Sequence, residues 1–238
     1  MTLGRSALPF RPRMPPSGTQ RWRDLLFLHW SVPSAALRAI VPGALELDAF
    51  EGQHFVGLVP FAMYDVRPMW LPLALGQDFL ETNVRTYVHY KGQAGVYFFS
   101  LEAASRLAVH AARLLWGLPY HYAEMRLSQS AERIHYESRR QVGAARLSVS
   151  YRVPSDPKPS EPGTLQHFLL ERYFLFVQRG GKVLTGQVHH SPYEAAPAEL
   201  LRLEESLVSA NGLSVSGPPA LSHYSPGVDV EVFGPWRS

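Results

Sequence analysis

The stretch FLETNVRTYVHY, residues 79–90, alternates along its whole length. Leu80, Thr82, Val84, Thr86 and Val88 fall on one side of an extended chain. Phe79, Glu81, Asn83, Arg85, Tyr87 and His89 fall on the other. A solvated face of an antiparallel strand is the ordinary reading of such alternation. Here, however, an acid, an amide, a guanidinium and a phenol come one after another at successive positions of one face. Such a set can satisfy its own hydrogen bonds inside a barrel, with Glu81 beside Arg85. The polar face of this strand is therefore expected to look inward at a hollow.

The flanking sequence supports a β-rich architecture. KGQAG, with Gly92 and Gly95, reads as a five-residue hairpin connection to VYFFSLEA. That strand is apolar on both faces until Ser100 and Glu102, as expected of a strand covered on each side. ERYFLFV begins polar, with Glu171, Arg172 and Tyr173, and then turns apolar. Polar groups gathered at one end of apolar strands build a cavity mouth. Further strands are expected in LLFLHW, around a Glu51-Gly52 turn, in AEMRLSQS, ERIHYESRR and ARLSVSYRV, and in GVDVEVF. TLQHFLLERYFLFV and VLTGQVHH read as a hairpin around Gly180-Gly181. Short helices are expected after Ser31 or Ser34, in AASRLAVHAARLLWG and in PAELLRLEESL. VRPMWLPLALGQ reads as a proline-broken loop with an exposed Trp70, and PSDPKPSEPG as a linker or long loop. The fold class is thus mainly β, an antiparallel barrel with a central cavity, flanking strands and a few short helices.

Composition narrows the function. The sequence pI of about 9.2 suggests a nucleic-acid ligand until the charge is located. Arg5, Arg11, Arg13, Arg21 and Arg23 all precede the first acid, Asp24, which leaves 18 basic residues against 20 acidic ones in the body. Residues 1–21 read as a flexible basic arm rich in proline and arginine, and residues 22–238 as one domain. No basic face backs the arm, so nucleic acid is not the expected partner. The chain has no cysteine, which excludes disulfides, thiolate nucleophiles and Cys-ligated zinc and fits a reducing cytoplasm. No apolar run reaches the roughly 20 residues that span a bilayer, and the first residues lack the apolar core of a signal peptide. Neither a membrane nor an export route is expected. The ten histidines make no metal-ligand pattern, since His189 and His190 are adjacent and face opposite ways in a strand. No cofactor motif is present either: RGGK is a hairpin tip, and no Gly-x-Gly-x-x-Gly or Gly-x-Ser-x-Gly occurs.

The pieces LLFLHWSVP, FVGLVPFAM, NVRTYV, VYFFSLEA, GLPYHYAEM, FLLERY and HYSPGVDV together resemble the YqjF-like branch of the acetoacetate decarboxylase superfamily. The resemblance covers most of the chain from Trp22 and implies a cavity-containing β-barrel wrapped by further strands. Decarboxylases of the superfamily carry an arginine, then Trp-Gly-aromatic-Pro, then two adjacent lysines and an alanine. This chain keeps Arg113, Trp116, Gly117, Pro119 and Ala123 at matching spacing. Tyr120 stands at the Schiff-base lysine and His121 at its neighbour. Glu81 matches a pocket glutamate through Phe79-x-Glu81 alone. The resemblance implies a ring cluster, Tyr120, His121 and Tyr122, presented to the cavity where the related enzymes present amines. It also allows a homo-oligomer.

Imine chemistry requires an unprotonated primary amine, which tyrosine and histidine cannot supply. The only lysines, Lys91, Lys158 and Lys182, lie on predicted surface connections. The expected ligand is a small organic acid such as an oxo-acid. Asn83, Arg85, Tyr87, Ser100, Arg113, Tyr122 and Tyr173 are the expected binding residues. Glu81, Tyr120 and His121 are the candidates for acid–base work of a tautomerase, hydratase or lyase kind. A non-catalytic scaffold would instead fill the cavity with side chains such as Phe98, Phe99 and Tyr173.

Overall fold

In chain order the elements are β1 (Gly18–Val32), α1 (Ser34–Arg38), β2 (Glu46–Leu47), β3 (His54–Pro68), β4 (Gln77–Tyr90), β5 (Gln93–Ala103) and α2 (Arg106–Leu115). Next come β6 (Tyr120–Gln129), β7 (Arg133–Arg140), β8 (Arg146–Arg152), β9 (Lys158–Pro159), α3 (Leu165–Leu170), β10 (Phe174–Arg179), β11 (Lys182–His189), β12 (Glu194–Pro197), β13 (Leu200–Glu205) and β14 (Leu221–Arg237). The computed structural model describes residues 10–72 and 75–237. Residues 1–9 of the expected arm and Leu73 and Ala74 of the proline-broken loop lie outside these. β1 starts at Gly18, four residues inside the segment that composition assigns to the arm. Arg11 and Arg23 pair with Glu231 and Asp229 of β14, and Arg21 with Asp65 of β3.

Seven strands close a barrel in the order β5–β10–β11–β14–β1–β3–β4, with β4 returning to β5. The β4–β5 hairpin turns on Lys91 and Gly92, both at positive φ, so the connection is two residues rather than five. The seam between β5 and β10 is a short parallel run, Gly95–Tyr97 against Phe174–Phe176. A Cβ at Gly95 would lie 2.4 Å from the Phe174 carbonyl oxygen, so the close approach there needs glycine. Past Ser100, β5 changes partner and Leu101–Ala103 run parallel to Tyr120–Tyr122 of β6. That strand opens a second sheet, β6–β7–β8–β13, which lies against the outside of the barrel.

Alternation along the barrel strands divides the core into two layers. Leu26, Leu28, Leu58, Val84 and Val88 face outward and pack with Tyr136, Leu147 and Val149 of the second sheet. Leu25, Phe27, Val59, Phe61 and Val96 face inward with Phe168, Leu169 and Leu170 of α3. Each such large apolar side chain contributes about 1.5–3 kcal/mol on burial. Because both sides of β4 are covered, its polar face is enclosed.

Two segments differ from the sequence expectation. LQHFLL is a helix, α3, capped by Thr164 whose side chain accepts from the His167 amide at 3.2 Å. Its apolar run packs into the barrel end, and a short apolar run has no period that separates strand from buried helix. LLRLEE is a strand, β13, although its composition favours helix. It completes the edge of β8, with Leu200 and Leu203 on the core side, and the ladder outweighs the local preference. At α1 the N-cap is Pro33 and no side-chain cap forms, so neither Ser31 nor Ser34 caps it.

Candidate functional site in the barrel

The inward face of β4 meets a cavity of about 170 Å³. Glu81, Asn83 and Arg85 form one wall, with Phe27 of β1, Val59 and Phe61 of β3, and Phe98 of β5 around them. α3 closes one end. At the other end stand Ala112 of α2, Trp116, Leu118 and Tyr120. The local sequence fixes this second end. Ser105 caps α2 by accepting from the Ala108 amide at 3.2 Å, and the chain leaves the helix through Gly117 at φ 70°. Arg113 Nε then donates to the Tyr120 carbonyl at 2.6 Å, holding the turn into β6.

The Tyr120 hydroxyl donates to Glu81 Oε2 at 2.7 Å. Glu81 is only 4% exposed. Burial pushes its carboxyl up to about 8; the Tyr120 hydrogen bond works against that shift and the nearby Glu102 charge adds to it. Near neutral pH the carboxyl therefore holds its proton for most of the time.

Arg85 carries a buried positive charge with no carboxylate beside it. It is 8% exposed, and its Nη2 donates to the Leu169 carbonyl at the end of α3 at 3.2 Å. Its guanidinium lies 5.6 Å from the Phe27 ring centroid and 5.9 Å from that of Tyr87. Its Nε has no acceptor, and among the described residues no carboxylate forms an ion pair with it. Arg172, also on the cavity wall, instead has a buried partner in Asp48 at 2.8 Å. Next to Arg85 on the same face, Asn83 Oδ1 is buried without a donor. Buried charge and buried polar atoms are costly when unmatched, and this wall carries both.

Glu81, Asn83, Arg85, Tyr120 and Tyr173 of the expected set all line the cavity. Others do not. Tyr87 is buried beneath it, donating to the Leu169 carbonyl at 3.0 Å with His29 Nε2 at 2.7 Å. His121 is the neighbour of an inward residue and alternation turns it away; burial, Arg140 and Arg113 hold it down to about 4. Ser100 faces the outer layer and accepts from Asn211 at 3.0 Å, the β-bulge between Phe98 and Ser100 having set its direction. Arg113 is occupied by the Tyr120 carbonyl outside the cavity, and Tyr122 lies under the Arg106 guanidinium at 4.0 Å. Glu81 and Arg85 do not pair, because four residues of strand separate them by about 13 Å. Phe98 and Tyr173 line the hollow rather than fill it, and Phe99 packs on the outer side.

Trp22, Phe27, Phe61 and Tyr193 also line the wall and are not among the residues expected from the sequence. The alternation in DLLFLHW and FVGLVPFAM carried that signal for Phe27 and Phe61. Tyr193 sits after β11 and had none. No lysine lines the cavity: Lys91, Lys158 and Lys182 are all exposed. Among the described residues no group of His, Asp and Glu is placed to hold a metal ion, and no helix is long and apolar enough to cross a membrane.

The comparisons with known proteins agree with this architecture. The model of the family DUF2071, described as an uncharacterized conserved protein, matches residues 19–229. The uncharacterized protein YqjF of Bacillus subtilis is 39% identical over 220 residues, 92% of this chain and 90% of that protein. An acetoacetate decarboxylase-like enzyme from Sphingomonas wittichii superposes with a TM-score of 0.66 at 11% identity, covering 98% of each chain. The enduracididine biosynthesis enzyme MppR, solved in complex with pyruvate, superposes with a TM-score of 0.65 at 13% identity, covering 94% of this chain and 91% of that one. The barrel is thus the acetoacetate decarboxylase-like fold, and the chain belongs to the DUF2071 family of YqjF-like proteins.

Proposed function

We propose that this protein binds a small organic acid in the barrel, its carboxylate on Arg85 and its body against the apolar wall, without forming an imine. The observation that carries the reading is the buried Arg85 on the cavity wall, with no carboxylate partner among the described residues. A charge-assisted hydrogen bond from an anion offsets that cost. MppR, a protein of the same fold, was solved with the small acid pyruvate bound. Tyr120, which the resemblance sets where the decarboxylases have their Schiff-base lysine, and the exposure of all three lysines support binding without covalent attachment.

Arg85→Met tests this. Calorimetry with benzoate and 2-oxobutyrate should show a loss of about thirty-fold or more in affinity, since truncating a buried charged partner costs about 2–5 kcal/mol. Circular dichroism should show the fold intact. Unchanged affinity in a folded variant contradicts the assignment. Borohydride added with acetoacetate should leave the protein mass unchanged, and a lysine adduct would refute non-covalent binding.

A second reading is favoured by the proton that Glu81 holds in the hollow. A carboxyl with a pKa near the working pH, hydrogen-bonded to Tyr120, is suited to pass a proton to or from the bound acid. Deuterium exchange into 2-oxobutyrate, monitored by proton NMR, should then depend on Glu81 and be lost in Glu81→Gln. Exchange no faster than in buffer would remove this reading and leave the binding one.

A further inference from the structure

Apolar side chains that water reaches are not spread evenly over the molecule. Among the described residues eleven large apolar side chains are exposed, and six of them, Met69, Trp70, Leu75, Leu107, Leu114 and Leu115, lie at the end of the barrel that α2 covers. Trp70 is 81% exposed and Leu114 72%. The segments that carry them are joined. Ser105 Oγ at the start of α2 donates to Gln77 Oε1, two residues past Leu75, at 2.9 Å, and Arg179 Nη1 donates to the Leu114 carbonyl at 3.1 Å. In α2, Val109 is buried and Ala112 lines the cavity. Leu107, Ala111, Leu114 and Leu115 share another side at helical spacing and are exposed, and exposed Arg106, His110 and Arg113 run beside them. Arg179, Lys182 and Arg237 stand at the ends of β10, β11 and β14 on the same rim. Among the described residues none of the cations Arg106, Arg113, Arg179, Lys182 and Arg237 forms an ion pair. Asp65, Asp78 and Glu231, on strands that lead to this rim, are taken by Arg21, the Asp65 amide and Arg11.

We propose that this rim docks on an anionic lipid bilayer, with Trp70 and the leucines of α2 entering the headgroup boundary and the unpaired cations meeting lipid phosphates. Exposed apolar surface gathered in one place marks an interaction site. Leucine and tryptophan beside arginine, on a helix that is already folded, are the composition of a surface that lies in a membrane interface. Each cation held near an anionic leaflet adds to the attachment. A second copy docked through the same surface would set cations against cations, with the acids nearby already engaged. The lack of a long apolar helix speaks to crossing a bilayer, not to a surface assembled from segments distant in sequence. The proposal is independent of the acid that occupies the barrel.

Co-sedimentation of the full chain with vesicles tests it, using pure phosphatidylcholine and an equal mixture of phosphatidylcholine and phosphatidylglycerol. The mixed vesicles should bind at least about ten-fold more tightly than the neutral ones, and raising salt from about 0.1 M to about 1 M should release most of the protein. Arg106→Gln and Lys182→Gln should each weaken binding about five-fold. Leu107→Ser combined with Leu114→Ser should remove most of the binding and, both side chains being exposed, leave the urea midpoint within error of the wild type. If that double variant does not fold, the two vesicle types and the salt series on the wild type still decide. No binding to the mixed vesicles, or equal binding to both kinds, overturns the proposal. A wild-type dimer in analytical ultracentrifugation that the double leucine variant turns into a monomer assigns the surface to a second copy and overturns it too.

Discussion

Glu81→Gln separates a buried, proton-holding carboxyl from an exposed polar residue by its effect on stability. In the unfolded chain this carboxyl titrates at 4.5, and in the folded barrel burial pushes it up to about 8. Between those values the folded state holds a proton that the unfolded chain has released. Folding is therefore favoured by acid, and the contribution, fully present below 4.5, is lost as pH rises toward 8. The slope is about 1.4 kcal/mol per pH unit, and over the whole window the loss is on the order of 4–5 kcal/mol. Glutamine has nearly the same shape, still accepts from Tyr120 and has no proton to release. Urea denaturation of both proteins at pH 5, 6, 7 and 8 should show the wild type losing stability relative to the variant at about that slope. Parallel curves across the range would mean that Glu81 is solvated or paired, and the enclosed wall would be wrong.

Tyr120→Phe removes the hydrogen bond that favours the Glu81 carboxylate, so Glu81 should titrate above the wild-type position of about 8 by carbon-13 NMR of its carboxyl; a downward move would contradict the contact. Gly95→Ala places a methyl 2.4 Å from the Phe174 carbonyl, a backbone atom at the barrel seam. It should cost about 1–3 kcal/mol in denaturant unfolding, and a neutral result would mean that β5 and β10 do not close the ring there. Arg140→Met strands the buried Glu102 carboxylate, its only ion-pair partner among the described residues being gone. A loss of about 3–5 kcal/mol is expected, with much of it restored by adding Glu102→Leu; a loss under about 1 kcal/mol would place that pair in solvent.

How much of the fold and the site is legible in the sequence depends on period. β4 alternates without interruption, so the enclosure of Glu81, Asn83 and Arg85 can be read from side-chain chemistry on one face. Ser100 cannot be placed in this way, because a one-residue bulge in β5 reverses the facing of the residues beyond it and leaves no compositional mark. Adjacency groups His121 and Tyr122 with Tyr120, yet a strand sends neighbours to opposite sides and its end points Tyr122 at α2 instead. α3 and β13 depart from their local signals for a shared reason: their state is fixed by a barrel end and a free β8 edge, contacts distant in sequence. Such long-range partners also bring Trp22 and Tyr193 to the cavity.

The central claim is that Arg85 anchors an acid inside the barrel, and a crystal structure grown with benzoate addresses it most directly. The account predicts density for one ring in the hollow, with a carboxylate oxygen at about 2.7–2.9 Å from a guanidinium nitrogen of Arg85. A hollow filled by shifted side chains, or benzoate bound only on the outer surface, would contradict it.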